Sequence, residues 1–162
     1  MENIKKQLIK LLTEDARYTY SQMAKMLGER EEVVEKAVKE LESDGVIVKY
    51  SAVVNAEALN EEKVQALVEV KVALQRNVFD KYAEEICAFK EVTGLYLMSG
   101  GFDLAVFVEG KSITDIAKFI SEKLSVIDGI ESVQTQFILK RFKIEGQTTK
   151  PNGNGERQVI QA

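Results

Sequence analysis

Apolar residues recur at helical spacing three times in the first 45 positions. Ile4, Leu8 and Leu11 set the first stripe, Ile9 and Leu12 widen it, and the pattern stops near Glu14-Asp15. Thr19 followed by Gln22 is a capping-box pair, in which each residue can satisfy the other's free backbone N–H at a helix start. It predicts a short second helix with Met23, Ala24 and Leu27 on its apolar side, ended by Gly28. Val34, Ala37, Val38 and Leu41 then repeat at i, i+3, i+4 and i+7, a third helix for which Gly45 fits the C′ position. A short helix, a tight glycine-containing turn and a longer helix form a helix-turn-helix pattern. After it, Val46 to Val54 is rich in β-formers and is expected to be a strand leaving the helical unit.

Past the polar run Asn55 to Lys63 the period changes. Val64, Ala66, Val68, Val70, Val72 and Leu74 alternate with period two, the mark of a half-buried strand. Asn77 and Asp80 are expected to cap a helix carrying Phe79, Ala83, Ile86 and Phe89. Strands follow at Val92 to Met98 and Asp103 to Glu109, joined by the turn Ser99-Gly100-Gly101-Phe102. Ser112 and Asp115 open another helix, with Ile116, Phe119, Ile120 and Leu124 inside, and Asp128-Gly129 leads to a last strand over about Glu131 to Lys140. The order β-α-β-β-α-β is a ferredoxin-like split unit, with both helices on one face of an antiparallel sheet. Leu67, Ile138 and a member of the Tyr96/Phe107 group are expected on the open face, which a second subunit would cover. The fold class is therefore α+β: an N-terminal (winged) helix-turn-helix domain over 1–52, a strand or linker over 53–63, a βαββαβ domain over 64–143 and a flexible tail over 144–162, rich in turn residues.

Composition narrows the chemistry. The chain has 162 residues, 45% hydrophobic and 30% charged, the balance of a folded soluble protein, and it has no apolar run long enough to span a membrane. One cysteine, Cys87, leaves no intrachain disulfide and suits a reducing cytoplasm. Histidine is absent, which removes the commonest general base and zinc ligand, so neither a metal nor another cofactor is expected. No acid, base and nucleophile converge, and the chain is not read as an enzyme. Gly110-Lys111-Ser112 looks like the end of a phosphate-binding loop, but Ala105 stands where its first glycine belongs. Cys87 reads as a buried structural thiol.

Helix-turn-helix, strand linker and βαββαβ domain in this order resemble the Lrp/AsnC (feast/famine) transcriptional regulators, over about residues 3 to 143. The likeness rests on Ala24-Lys25-Met26-Leu27-Gly28, on Val38-Lys39-Glu40-Leu41-Glu42-Ser43-Asp44-Gly45-Val46-Ile47 and on Met98-Ser99-Gly100-Gly101-Phe102-Asp103. Asp128-Gly129-Ile130 with Thr135 and Leu139 matches a further family strand, with Asp128 where proline is usual. The resemblance implies a regulator of transcription that binds double-stranded DNA as a homodimer or an assembly of dimers, a tetramer or octamer. It also implies an amino-acid effector held between subunits around the glycine loop.

In a helix-turn-helix the second helix enters the major groove, here presenting Arg30, Glu31, Glu32, Glu35, Lys36 and Lys39. Arg17, Lys25, Arg30, Lys36 and Lys39 are the candidate phosphate or base contacts. Glu32 can read a base only through the amino group of cytosine. The net charge is −4 for the whole chain and −4 again for Glu29 to Asp44, so the groove helix is acidic. Glu31 and Glu32 can equally serve the positive end of the helix. A second reading follows: an amino-acid-sensing oligomer whose helix-turn-helix contacts protein instead of an operator. In the turn Ser99, Gly100, Gly101, Phe102 and Asp103, two glycines expose backbone N–H groups to a carboxylate and Asp103 can accept from an α-ammonium, though a plain hairpin turn would use the same residues. The resemblance adds Thr135 as a pocket hydroxyl.

Overall fold

The computed structural model describes residues 2–55, 63–73 and 79–149. The chain divides into two compact units, Met1–Val53 and Val54–Ala162. Leu74, the Asn77 cap, the connection over 56–62 and the tail beyond 149 lie outside the described residues.

The first unit holds α1 (Glu2–Glu14), α2 (Tyr20–Leu27) and α3 (Glu31–Ser43). Its core is the meeting of the three stripes: Ile4 and Leu8, Met23 and Ala24, and Val34, Ala37, Val38 and Leu41 are all buried. Lys5 of α1 fixes the approach of α3, with Glu40 at 2.9 Å and Asp44 at 3.5 Å. The strand expected over Val46–Val54 does not form. The N–H groups of Val46 and Ile47 instead turn back onto the Leu41 carbonyl, at 2.9 and 3.0 Å. Val48, Tyr50, Val53 and Val54 stay exposed, and no described strand offers them a ladder. Residues that favour strands still need a partner to pair with.

The second unit is a four-stranded antiparallel sheet in the order β2-β3-β1-β4, from β1 (Val64–Val72), β2 (Val92–Leu97), β3 (Leu104–Gly110) and β4 (Ile130–Ile138). α4 (Phe79–Cys87) and α5 (Ile113–Phe119, continued by a π-helical turn over Ile120–Leu124) complete the βαββαβ order. The period-two pattern sets the faces. Ala66, Val68, Val70 and Val72 of β1 and Leu104, Val106 and Val108 of β3 pack in one core with Tyr82, Ile86, Ile116, Phe119 and Leu124. Gly129 starts β4 at φ +88°, and a Cβ there would lie 1.9 Å from the Tyr82 hydroxyl, so glycine is required twice over.

Two further expectations change. Cys87 is exposed, not buried: α4 buries Tyr82 and Ile86, and one residue on from Ile86 the helix has turned about 100° away from that stripe. The segment expected to be tail from 144 starts as a hairpin, β5 (Lys143–Ile144) and β6 (Gln147–Thr148). Its two central residues, Glu145 and Gly146, both have positive φ, the requirement of a two-residue turn that follows strand twist.

Candidate DNA-contact face and effector loop

The geometry of the first unit begins with its caps. The Thr19 side chain accepts from the Gln22 N–H at 3.2 Å while the Thr19 N–H donates to the Gln22 side chain at 2.9 Å. α2 ends at Gly28, φ +68°, and only Gly28, Glu29 and Arg30 separate it from α3. Arg30 occupies the N-cap position of α3 without a side-chain cap bond, and Glu31 and Glu32 supply the negative first turn.

At about 100° per residue, the face of α3 opposite Val34, Ala37, Val38 and Leu41 carries Glu32, Lys36, Lys39 and Ser43. This is the outward face, and it is more basic than the helix as a whole. Four of the seven acidic residues between Glu29 and Asp44 sit on its flanks and are engaged. Glu40 and Asp44 hold Lys5, Glu42 accepts from the Tyr50 hydroxyl at 2.8 Å, and Glu35 pairs with Lys39 at 2.7 Å. The hydrogen bond and charge of Lys5 keep the Glu40 carboxyl below its usual range, and those of Glu35 raise the Lys39 ammonium above its own. Burial of the hydroxyl, then the bond to Glu42 and the charge of its carboxylate, push the Tyr50 phenol up to about 12. Counting charges along the sequence missed this sorting, although the 3.6-residue period contains it.

The other candidate contacts differ in freedom. Arg17, just before α2, is clamped by Asp15 through two bonds of 2.9 and 2.7 Å, which bring the Asp15 carboxyl down to about 2. Lys25, Arg30 and Lys36 are exposed and form no ion pair among the described residues.

In the second unit Ser99, Gly100 and Gly101 are exposed, and Phe102 and Asp103 are half-buried. The loop is closed by the Met98 N–H donating to the Asp103 carbonyl at 2.8 Å. Asp103 has a structural task that the sequence did not reveal. Its N–H donates to the Val70 carbonyl at 3.0 Å and its Oδ2 accepts from the Val72 N–H at 2.9 Å, which pins the loop to the end of β1. Around Gly100 and Gly101 a Cβ would meet nothing within 4 Å, so their space is open to solvent or ligand. Thr135 is not brought to this loop within one chain. It lies opposite Val68, half-buried on the helix side of β4, with β1 between it and β3, about 10 Å across two strand spacings.

The open face of the sheet carries Leu67 opposite Phe107, Tyr96 against Phe107 edge-on with ring centroids 5.7 Å apart, and Ile138 opposite Gln65. Gly94 leaves room for them, since a Cβ there would stand 3.3 Å from the Tyr96 ring. At the end of the sheet away from the glycine loop, a cleft of about 780 Å³ mixes lysines and carboxylates. Two of its pairs are closed on themselves, Lys63 with Glu109 at 2.6 Å and Lys123 with Glu91 at 2.7 Å. Gly110 and Ser112 there form an ordinary strand-to-helix joint, with Ser112 capping α5 by accepting from the Asp115 N–H at 3.1 Å. Among the described residues no group of His, Cys, Asp or Glu is placed to hold a metal ion, and no helix is long and apolar enough to cross a membrane.

Two family models divide the chain where the fold does. A winged helix-turn-helix DNA-binding domain matches residues 1–48, and the Lrp/AsnC ligand binding domain matches residues 65–148. The chain belongs to the Lrp/AsnC family. It is 38% identical over 156 residues to an uncharacterised HTH-type transcriptional regulator of Bacillus subtilis, YugG, covering 95% of this chain and 94% of that one. It is 34% identical over 137 residues to the HTH-type transcriptional regulator LrpA of Pyrococcus abyssi, covering 84% and 94%. Among solved structures, a transcriptional regulator of Neisseria meningitidis in complex with L-Met shares the fold, with a TM-score of 0.70 at 20% identity over 93% of this chain and 96% of that one. This Lrp/AsnC protein is thus a DNA-binding regulator of transcription with a ligand-binding domain. The reading of a helix-turn-helix given over to protein contacts is not favoured.

Proposed function

We propose that this Lrp/AsnC protein binds operator DNA in the cytoplasm as an assembly of dimers and changes that binding when a free amino acid occupies the glycine loop. Lys36, Lys39 and Arg30 are the groove and phosphate contacts of α3, with Glu32 as a base reader, and Arg17 and Lys25 reach the backbone beside them. Dimers form over Leu67, Tyr96, Phe107 and Ile138, an apolar set that water disfavours. They associate further into a tetramer or octamer.

The observation that carries the effector reading is the exposed Ser99-Gly100-Gly101 segment, pinned at its far end by Asp103. Backbone N–H groups there suit an α-carboxylate, Phe102 offers an apolar contact, and the Asp103 oxygen not used by Val72 suits an α-ammonium. Thr135 stands too far off to join the loop of its own chain, so its hydroxyl belongs to a pocket shared between subunits. A structural neighbour bound to L-Met supports an amino acid as the class of ligand. The effector would act by binding two arrangements of the assembly unequally, with a coupling of about 1–3 kcal/mol, or about 5–150-fold in DNA affinity.

The test is a panel of free amino acids against DNA binding by the full chain, repeated with Gly100→Val. The added side chain enters open space, so fold and basal DNA binding are kept while the ligand is obstructed. One or a few amino acids are expected to shift wild-type binding and to leave Gly100→Val unmoved. A panel without effect on the wild type, or an equal shift in the variant, overturns the assignment.

A further inference from the structure

One flank of α3 borders a cavity of about 420 Å³ that neither DNA contact nor the glycine loop uses. Tyr18, Tyr20 and Tyr50 line it together with apolar side chains such as Met23 and Val38, and its charged groups are two carboxylates, Glu31 and Glu42, with no lysine or arginine. The two glutamates are eleven residues apart on α3, three turns and a small remainder, so they stand on one stripe about 16 Å apart along the axis. Val38 lies between them on that stripe. Glu42 is tied to the Tyr50 hydroxyl at 2.8 Å, and Glu31 has no hydrogen bond or ion pair among the described residues.

Each part of this lining selects the same ligand. Carboxylates at both ends call for positive charge at both ends. Tyrosine faces attract cations through the ring quadrupole, and the aliphatic wall between favours methylene groups over water. A metal ion would satisfy only the carboxylates, and an amino acid would bring a carboxylate of its own into a site without a cation. We propose that this cavity binds a linear aliphatic polyamine, its terminal ammoniums at Glu31 and Glu42 and its chain along the tyrosines. Bound there, the polycation neutralises two acids beside a helix whose Glu29–Asp44 run carries a net −4, and so favours approach to phosphates. The helix-turn-helix domain thereby gains a ligand input separate from the βαββαβ domain.

The chain reports this binding without a label. It has five tyrosines and no tryptophan, and three of the five line the cavity. The experiment is a titration of the full chain with spermine in physiological salt, read by tyrosine fluorescence and done without DNA because polyamines also bind duplex phosphates. A saturable change is expected, weakened about tenfold in Glu31→Gln/Glu42→Gln and by less than about twofold in Glu29→Gln, which lies outside the cavity. Glutamine at 42 keeps an oxygen for the Tyr50 hydroxyl, and circular dichroism checks the fold. If the double variant does not fold, Glu31→Gln alone, at an exposed and unpartnered side chain, is expected to weaken binding about threefold. The proposal is overturned by the absence of a saturable change, by equal affinity in a folded Glu31 variant, or by magnesium reproducing the signal at equal charge.

Discussion

Replacing Lys36 and Lys39 by alanine tests whether the outward face of α3 meets DNA. Both side chains are exposed on that face, and alanine is the best helix former, so α3 itself is retained. With one phosphate contact per lysine, a dimer loses four contacts. At a slope of about 0.9 per phosphate, the plot of log affinity against log salt flattens by about 3.6, so between about 50 and 200 mM salt the variant loses about a hundredfold less affinity than the wild type does. The structure adds a sign that charge counting does not give. Lys39 is held by Glu35 at 2.7 Å, so Glu35→Gln frees a cation, removes a repelling carboxylate, and is expected to tighten binding. The assay is fluorescence anisotropy of a labelled duplex at several salt concentrations with the full chain. Unchanged affinity and slope in a natively folded Lys36→Ala/Lys39→Ala variant would refute the assignment of this face. Weaker binding by Glu35→Gln would refute the competition between carboxylate and phosphate.

Gly129→Ala is expected to destabilise the second unit by more than about 2 kcal/mol, from left-handed strain of about 1–2 kcal/mol plus the collision with Tyr82. Urea unfolding measures it, and adding Tyr82→Phe should recover part of the loss because the nearest atom is gone; wild-type stability for Gly129→Ala would sink the argument. The Tyr50 phenol, pushed up to about 12, is favoured in its neutral form by folding, so its contribution is complete below the ordinary tyrosine range near 10 and is lost as pH rises from there through 12. In an alkaline titration of phenolate absorbance, Tyr50→Phe should remove a late step, and loss of an early step instead would contradict the environment assigned to it. Leu67→Glu/Phe107→Glu places like charges on the open sheet face and is expected to give monomers in analytical ultracentrifugation. A dimer of unchanged strength would show that another surface holds the subunits.

What could be read from the sequence was whatever depends on local spacing. The stripe Val34, Ala37, Val38 and Leu41, the Thr19–Gln22 box, the Gly28 and Gly45 ends and the alternation of β1 all carry their structural meaning within a few residues, and all are realised. What failed depended on partners elsewhere in the chain or on a backbone conformation that residue type does not announce. Val46–Val54 has the composition of a strand without a described strand to pair with. The hairpin at Lys143–Thr148 depends on Glu145 accepting a positive φ, which its residue type does not announce. Tyr82 is buried on the same stripe as Ile86, four residues later, but the need for glycine at 129 beside its hydroxyl, 47 positions on, is set by tertiary contact. The candidate sites show the same division. The glycine loop was visible as a motif, whereas the anchoring of Asp103 to Val72 and the distance of Thr135 from the loop follow from sheet order, which periodicity does not encode.

An acidic recognition helix still reads DNA here because most of its carboxylates lie on the flanks, leaving Glu32 as the one acid beside Lys36 and Lys39 on the outward face. Fluorescence anisotropy of the wild-type chain on the DNA upstream of its own gene, beside a scrambled duplex of equal composition and at two salt concentrations, decides whether it does. Tighter binding to the upstream duplex is expected at both salts, with both complexes weakening as salt rises. Equal binding to the two duplexes, or none to either, would contradict it.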